Sequence, residues 1–317
     1  MFSIYNLTND GFDIIRLADC ESKTQVDLIP ACGSLLHSFV ISHNNQFLNI
    51  IDSYSNKKEF DTEMEAKGFK SAKLSPFVCR MKDGEYHYGE QNYKVKKFYL
   101  GPDAIHGLIY DAPFEIILQE ANEEKATLEL LHHYKATDAG YPFNYDCRVV
   151  YELRKNNSLT ISTTIINRSE GMIPVSDGWH PYFKFGGTID DCQLEFQSKE
   201  IVEFDERLIP TGKLISYQEF GSLKKIGDTF LDNCFTVNFA ECQPMLILRD
   251  PVQKIQLEIK PDKSYPYLQI YTPPHRQSIA IENLSSAPDA FNNGMGLIFL
   301  AAGEESSFFT EYIVRSL

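Results

Sequence analysis

SLTISTTIIN, residues 158–167, is β-branched almost throughout and places Leu159, Ile161, Thr163 and Ile165 on one face. A period of two over ten residues specifies an extended strand rather than a helix. The segment follows the turn residues Lys155-Asn156-Asn157, and Asp146–Leu153 (DCRVVYEL) precedes that turn. The two runs therefore fold back on one another as a hairpin. Similar short apolar runs recur along the chain, at Phe12–Leu17, Ser34–Ile41, Tyr86–Tyr99, Phe114–Leu118, Ala126–Tyr134, Gln193–Phe196, Phe235–Phe239, Met245–Leu248, Ile255–Ile259, Tyr267–Tyr271, Ile279–Glu282, Leu297–Leu300 and Ser307–Val314. Most are short and close to their neighbours, which predicts an all-β chain folded as a large antiparallel β-sandwich. The charged run Glu120–Lys125 (EANEEK) reads as a solvated hairpin tip. Helix is expected only at Lys58–Ala66, good helix formers that stop before Gly68. No Pro/Gly/Ser linker or repeat divides the chain, so residues 1–317 read as a single domain.

The chain has 317 residues, 43% of them hydrophobic and 13% aromatic, enough for a substantial core. Its net charge of −14 disfavours a nucleic-acid or anionic-membrane partner, since phosphate binding needs a basic face. The seven cysteines (Cys20, Cys32, Cys79, Cys147, Cys192, Cys234 and Cys242) are odd in number and form no CxxC. They read as free thiols in a reducing compartment. The N-terminal stretch MFSIYNLTNDGFDIIRL lacks the basic-then-apolar pattern of a signal peptide, and no apolar run is long enough to span a bilayer. A cytoplasmic protein is expected.

Two segments place titratable side chains where an apolar run ends and a turn-rich stretch begins. Asp177-Gly178-Trp179-His180-Pro181-Tyr182-Phe183 is one; Ile279-Ala280-Ile281-Glu282, followed by NLSSAPDAFNNG (283–294), is the other. A histidine near neutrality and a carboxylate make a proton donor and acceptor. In an extended segment Trp179 and His180 face opposite ways, so one packs in a core and the other faces a cleft. His106 lies in a Gly-rich turn (GPDAIHGL, 101–108), Arg80 precedes a turn (PFVCRMKDG, 76–84), and Asp232 precedes a strand (FLDNCF, 230–235). Each has an ordinary alternative: a turn histidine bonded to backbone, a surface ion pair, a turn aspartate. Adjacent His132 and His133 point to opposite faces of a strand and cannot jointly hold one metal.

Taken together, these stretches resemble the aldose 1-epimerase (mutarotase) family. The resemblance runs through PFVCRMKDGEYHYGEQNYKV (76–95), IHGLIYDAPFEI (105–116), YPFNYDCRVVYEL (141–153), GWHPYFKF (178–185), FLDNCF (230–235) and IAIENLSSAPDAFNNG (279–294), in the family order. It implies the galactose mutarotase-like supersandwich and a cofactor-independent isomerase with no metal, acting on a small-molecule sugar such as galactose or glucose. A monomer or homodimer is expected. By the resemblance Glu282 corresponds to the catalytic base and His180 to the acid, with His106, Arg80 and Asp232 holding sugar hydroxyls. One departure stands out: the family's arginine usually follows Asn, whereas here it follows Cys79.

Anomeric inversion suits such a pair. The C1 hydroxyl loses a proton while the ring oxygen gains one; the freed aldehyde turns about C1–C2 and re-closes on its other face. Tyr182 or Phe183 offers a ring for the sugar's apolar side, and each is equally a core residue. Three other readings compete. A two-His-one-carboxylate iron site would use His106, His180 and Asp232 or Glu282. A hexose-6-phosphate epimerase would need extra cations, for which Lys82, Arg148 and His275-Arg276 are candidates. A sugar-binding protein without catalysis would need neither a proton donor nor an acceptor.

Overall fold

The hairpin of residues 146–167 stands inside a nine-stranded sheet. The structure, a computed structural model, describes residues 1–317. Across this sheet run Glu115–Ala121, Lys125–Lys135, Asn144–Arg154, Ser158–Asn167, Glu305–Ser316, Ile255–Pro261, Leu246–Asp250, Gln193–Phe196 and Lys224–Lys225, every neighbour antiparallel. Asn156 and Asn157 make the hairpin turn with φ of +65° and +52°. Asparagine is one of the few side chains that tolerates this left-handed region.

A second antiparallel sheet is ordered Pro210–Ser216, Ser198–Phe204, Asp232–Val237, Tyr267–Tyr271, Ile279–Leu284, Gly178–His180 and Ala72–Leu74. Tyr182–Phe183 joins Ile279–Leu284 to the short strand Ile51–Asp52. A five-stranded sheet is built from Phe2–Asn9, Phe12–Asp19, Thr24–Ile29, Leu35–His43 and Gln46–Asn49. The architecture is the antiparallel sandwich expected from the strand pattern.

A core of 60 buried apolar residues, running from Phe2 to Val314, draws on both large sheets and the five-stranded one. Trp179 of one sheet packs at 5.9 Å from Tyr151 of the other, and Phe183 meets Tyr312 edge-on at 5.4 Å. Full burial of one such side chain contributes about 2–3 kcal/mol of transfer free energy. Residues 178–183 thus hold their sheet to its partner, and their alternation sends His180 to the opposite face.

The structure corrects several boundaries. Tyr86–Tyr99 is not one strand: Gly89, at φ +64°, folds it into the hairpin Glu85–Tyr88/Gln91–Lys94, and Tyr99–Leu100 pairs separately. The helix spans Lys57–Glu63, not 58–66, and is capped by Asn56, whose side chain accepts from the Glu59 N–H at 2.9 Å. Phe2–Asn9, Thr24–Ile29, Gln46–Asn49, Ser198–Phe204 and Pro210–Ser216 are strands that periodicity does not reveal. Phe2–Asn9 and Pro210–Ser216 are largely exposed edge strands, so no apolar face marks them.

A buried ion pair sits where three strands meet. Lys73 Nζ lies 2.5 Å from Asp177 Oδ2, and both side chains are 0% exposed. Lys73 also donates to the Gly178 carbonyl at 3.1 Å and lies 4.5 Å over the Trp179 ring, while Tyr265 Oη donates to Asp177 Oδ1 at 2.7 Å. Burial pushes the Asp177 carboxyl up, and Lys73 and Tyr265 pull it back. Asp177 N–H donates to Ser285 Oγ at 2.8 Å, and Ser285 N–H donates to the Asp177 carbonyl at 2.8 Å. Beside it, a Cβ on Gly178 would sit 2.7 Å from Leu284 Cδ2 and 3.1 Å from the Asn283 carbonyl. A side chain here would push the Leu284 side chain aside and crowd the Asn283 carbonyl, so glycine suits this close approach.

Lys73→Met is expected to leave Asp177 buried without its cation and to destabilise the protein by about 3–5 kcal/mol, measured by urea unfolding at neutral pH. A loss under 1 kcal/mol would show that Tyr265 and Ser285 suffice for Asp177.

Candidate active site

All five sequence-predicted site residues, Arg80, His106, His180, Asp232 and Glu282, line a single cavity of about 620 Å³. It opens on the face of the second sheet turned away from the core. Strand alternation explains the placement: Ile279 and Ile281 belong to the core, so Glu282 between Ile281 and Asn283 turns to the cavity, as His180 does beside Trp179. His180 and Glu282 arrive on strands that pair at Gly178 and Leu284. Arg80 pairs across its short strand with Ile105, the residue before His106. His106 has φ +63° and is followed by Gly107 at +80°, where a Cβ would lie 2.2 Å from the Ser75 carbonyl oxygen.

The centre of the site is a contact between proton donor and acceptor. His180 Nε2 lies 3.4 Å from Glu282 Oε1, and their side chains are 6% and 2% exposed. His180 stacks on Tyr182 at 5.1 Å and 9°, and His106 meets it edge-on at 4.9 Å. Tyr182 Oη donates to the Gly68 carbonyl at 3.0 Å, so this ring supports the imidazole, whereas Phe183 lies wholly in the core. Glu282 Oε2 meets the Cys79 thiol at 4.0 Å. The Nδ1 atoms of His180 and His106 are buried with no partner.

Burial governs the electrostatics. It drives His180 down to about 4 and His106 well below the usual histidine range, the latter aided by His180 and Arg80. It drives Glu282 well above the usual carboxylate range, with Asp232 adding to the effect. Mutual support between a charged His and a charged Glu is the expectation from sequence whenever desolvation does not win; here desolvation wins on both sides. Both shifts run toward the uncharged forms, a protonated Glu282 beside an unprotonated His180. Asp232 is also raised by burial, against the opposing pull of Arg80 and Gln269.

Gln269 is absent from the sequence-based set. It sits opposite Glu282 in register, donates from Nε2 to Asp232 Oδ1 at 2.9 Å, and keeps a buried, unpartnered Oε1 beside the cavity. A signal exists in Tyr267–Tyr271: Leu268 and Ile270 belong to the core, and Gln269 is the polar residue between them. Of the cations considered for a phosphate, only His275 lines the cavity. Arg148 faces Glu129 at 3.7 Å, and Arg276 is held by Asp190 at 2.6 Å and by the carbonyls of Gly227 and Thr229.

The family model for aldose 1-epimerases matches residues 20–313. The chain belongs to the aldose 1-epimerase family. A curated relative, the uncharacterized protein YihR of Escherichia coli (strain K12), is 28% identical over 244 residues, covering 74% of this chain and 76% of the relative. Among solved structures, a galactose mutarotase-like protein from Clostridium acetobutylicum superposes with a TM-score of 0.87 at 17% identity, covering 100% of this chain and 99% of the other. Galactose 1-epimerase from Lactobacillus acidophilus NCFM gives 0.82 at 18% identity, again with 100% and 99% coverage. At these identities the superpositions establish the galactose mutarotase-like fold. No helix is long and apolar enough to cross a membrane.

The neutral state of buried His180 has a measurable cost in acid. Its folded value is depressed from 6.5 to about 4, so between those values the unfolded chain binds a proton that the folded chain refuses. Stability therefore falls as pH drops through this window, by about 3 kcal/mol from His180 alone. His180→Asn is expected to flatten the pH dependence of unfolding free energy between pH 6.5 and 4 by that amount. An unchanged slope would contradict a neutral His180.

Proposed function

We propose that the protein is an aldose 1-epimerase acting on a free aldose, with Glu282 as base and His180 as acid and no metal or cofactor in the step. The observation that carries this reading is the 3.4 Å contact of His180 Nε2 with Glu282 Oε1 on the wall of a cavity large enough for a sugar. In the empty cavity the shared proton sits on Glu282. Hydroxyls of an arriving sugar supply the dipoles that burial removed, and the proton passes to His180, leaving an imidazolium and a carboxylate. Glu282 then takes the proton of the C1 hydroxyl while His180 gives its proton to the ring oxygen. The C1–O bond of the ring opens, the aldehyde rotates, and closure reverses both transfers. Each transfer contributes about 10²–10⁴-fold. Arg80, Asp232, His106 and Gln269 would orient the hydroxyls.

A hexose 6-phosphate is the less favoured substrate. At the cavity wall Lys70 is taken by Asp52 at 2.7 Å and Lys67 by Glu59 at 2.6 Å, which leaves no free lysine for a dianion. A binding-only role is disfavoured by the same pair: two buried titratable groups add a desolvation cost that neutral amides would avoid.

The direct test is polarimetry of freshly dissolved α-D-galactose and α-D-glucose, with hexose 6-phosphates in parallel. The expected result is faster decay to an unchanged final rotation, reduced about 10²-fold or more in folded Glu282→Gln and His180→Asn. Near-normal rates in either variant would remove that residue from the mechanism. EDTA is expected to leave the rate unchanged; inactivation reversed by a divalent metal would revive the two-His-one-carboxylate reading. Because the one-proton form of the pair is the active one, kcat/KM should be bell-shaped, with an acid limb near the His180 value of about 4 and an alkaline limb where the pair loses its last proton.

A further inference from the structure

Cys79 touches three members of the site at once. Its thiol lies 4.0 Å from Glu282 Oε2, its carbonyl accepts from the His106 N–H at 2.9 Å, and its chain neighbour is Arg80. It is buried, lines the cavity, and sits at φ +48°. A left-handed backbone is unfavourable for a cysteine, whereas asparagine visits it readily. Such strain persists where the surroundings over-determine it, and it concentrates at functional sites.

The surroundings of Glu282 show what the sulfur does. Oε1 faces His180, and Oε2 meets only the thiol. A second thiol, Cys234, lies close enough to feel the charge of Glu282, as does Tyr182. Asp232 is the carboxylate whose charge acts on Glu282, and Arg80 acts on Asp232 and Cys79 rather than on Glu282 itself. An ionised carboxylate normally collects two or three strong donors, which lowers its proton affinity. Here the one protein donor to Oε2 is an S–H, a weak donor at long range.

Resting on the acid–base reading above, we propose that Cys79 is a positioning residue for the catalytic base. It holds Glu282 in place by contact while withholding a strong hydrogen bond, so the carboxyl keeps a proton affinity suited to exchange with a sugar hydroxyl. An amide at this position would stabilise the carboxylate and lower its proton affinity; an apolar group would leave Oε2 with no donor and raise it.

The test follows the ionisation of Glu282 itself, through the infrared carboxyl band that Glu282→Gln removes, alongside the pH profile of kcat/KM. In Cys79→Asn the last proton of the pair is expected to leave at lower pH, by about one unit, a tenfold fall in proton affinity. In Cys79→Val it is expected to leave at higher pH. The alkaline limb of kcat/KM should move in the same two directions, with KM little changed. Opposite shifts of one group are not produced by simple loosening of the fold. Cys79→Ser, a stronger donor of nearly the same size, should shift in the Asn direction and stands in if either larger variant misfolds. One unchanged infrared midpoint in every folded variant would overturn the proposal. The band reports on Cys79 even if the wild-type protein proves inactive on all aldoses, an outcome that would instead overturn the functional reading.

Discussion

The site depends on the crossing at Lys73 and Asp177. Asp177 lies three residues before His180 and is bonded in both directions to Ser285, three residues after Glu282. Lys73 reaches the same point from the third strand, in register with Trp179. A fully buried ion pair is a poor source of net stability, because desolvation consumes most of the Coulombic gain. Its value here is geometric: a short, doubly bonded cluster permits one relative placement of three strands. Gly178 completes the crossing by leaving room for the strands of His180 and Glu282 to approach closely. The 3.4 Å approach of His180 to Glu282 follows from that placement.

The same dryness that makes the crossing rigid sets the chemistry. His180 and Glu282 sit among Tyr182, His106, Cys79 and Cys234, none of which offers either of them a strong hydrogen bond. Charge is therefore disfavoured on both partners. A base that rests protonated is only useful if the substrate itself completes the polar environment. In this site the open positions are the unpartnered Gln269 Oε1, the cavity-facing Arg80 and the free faces of the pair. On the proposed reading, binding and activation are coupled, because the hydroxyls that the site recognises also ionise the pair.

Much of the fold was legible because period-two patterns survive wherever one strand face is buried. Ser158–Asn167, Gln193–Phe196 and Tyr267–Tyr271 fall where the pattern puts them. Thr24–Ile29 was hidden because Asp27 is buried on a bidentate bond to Arg16 at 2.6 and 2.8 Å, which breaks the apolar run. Tyr86–Tyr99 read as one strand because strand-favouring tyrosines lie on both sides of the glycine turn. At the site, local context together with the family resemblance picked out five residues that share one cavity. Gln269 was passed over because an amide carries no titratable signal, and its importance lies in its register opposite Glu282.

Sequence by itself determined the architecture, because strand periodicity is local, and it determined the candidate donor and acceptor, because their chemistry resides in the side chains. Tertiary structure alone decided that His180 and Glu282 meet across 102 positions of chain, that their mutual electrostatics are ruled by burial, and that a thiol is the second partner of the carboxylate. The physical reason is that proton affinity is a property of surroundings. Those surroundings are assembled from Cys79, His106, His180, Asp232 and Glu282, drawn from distant points of the chain and joined only by the packing of two sheets.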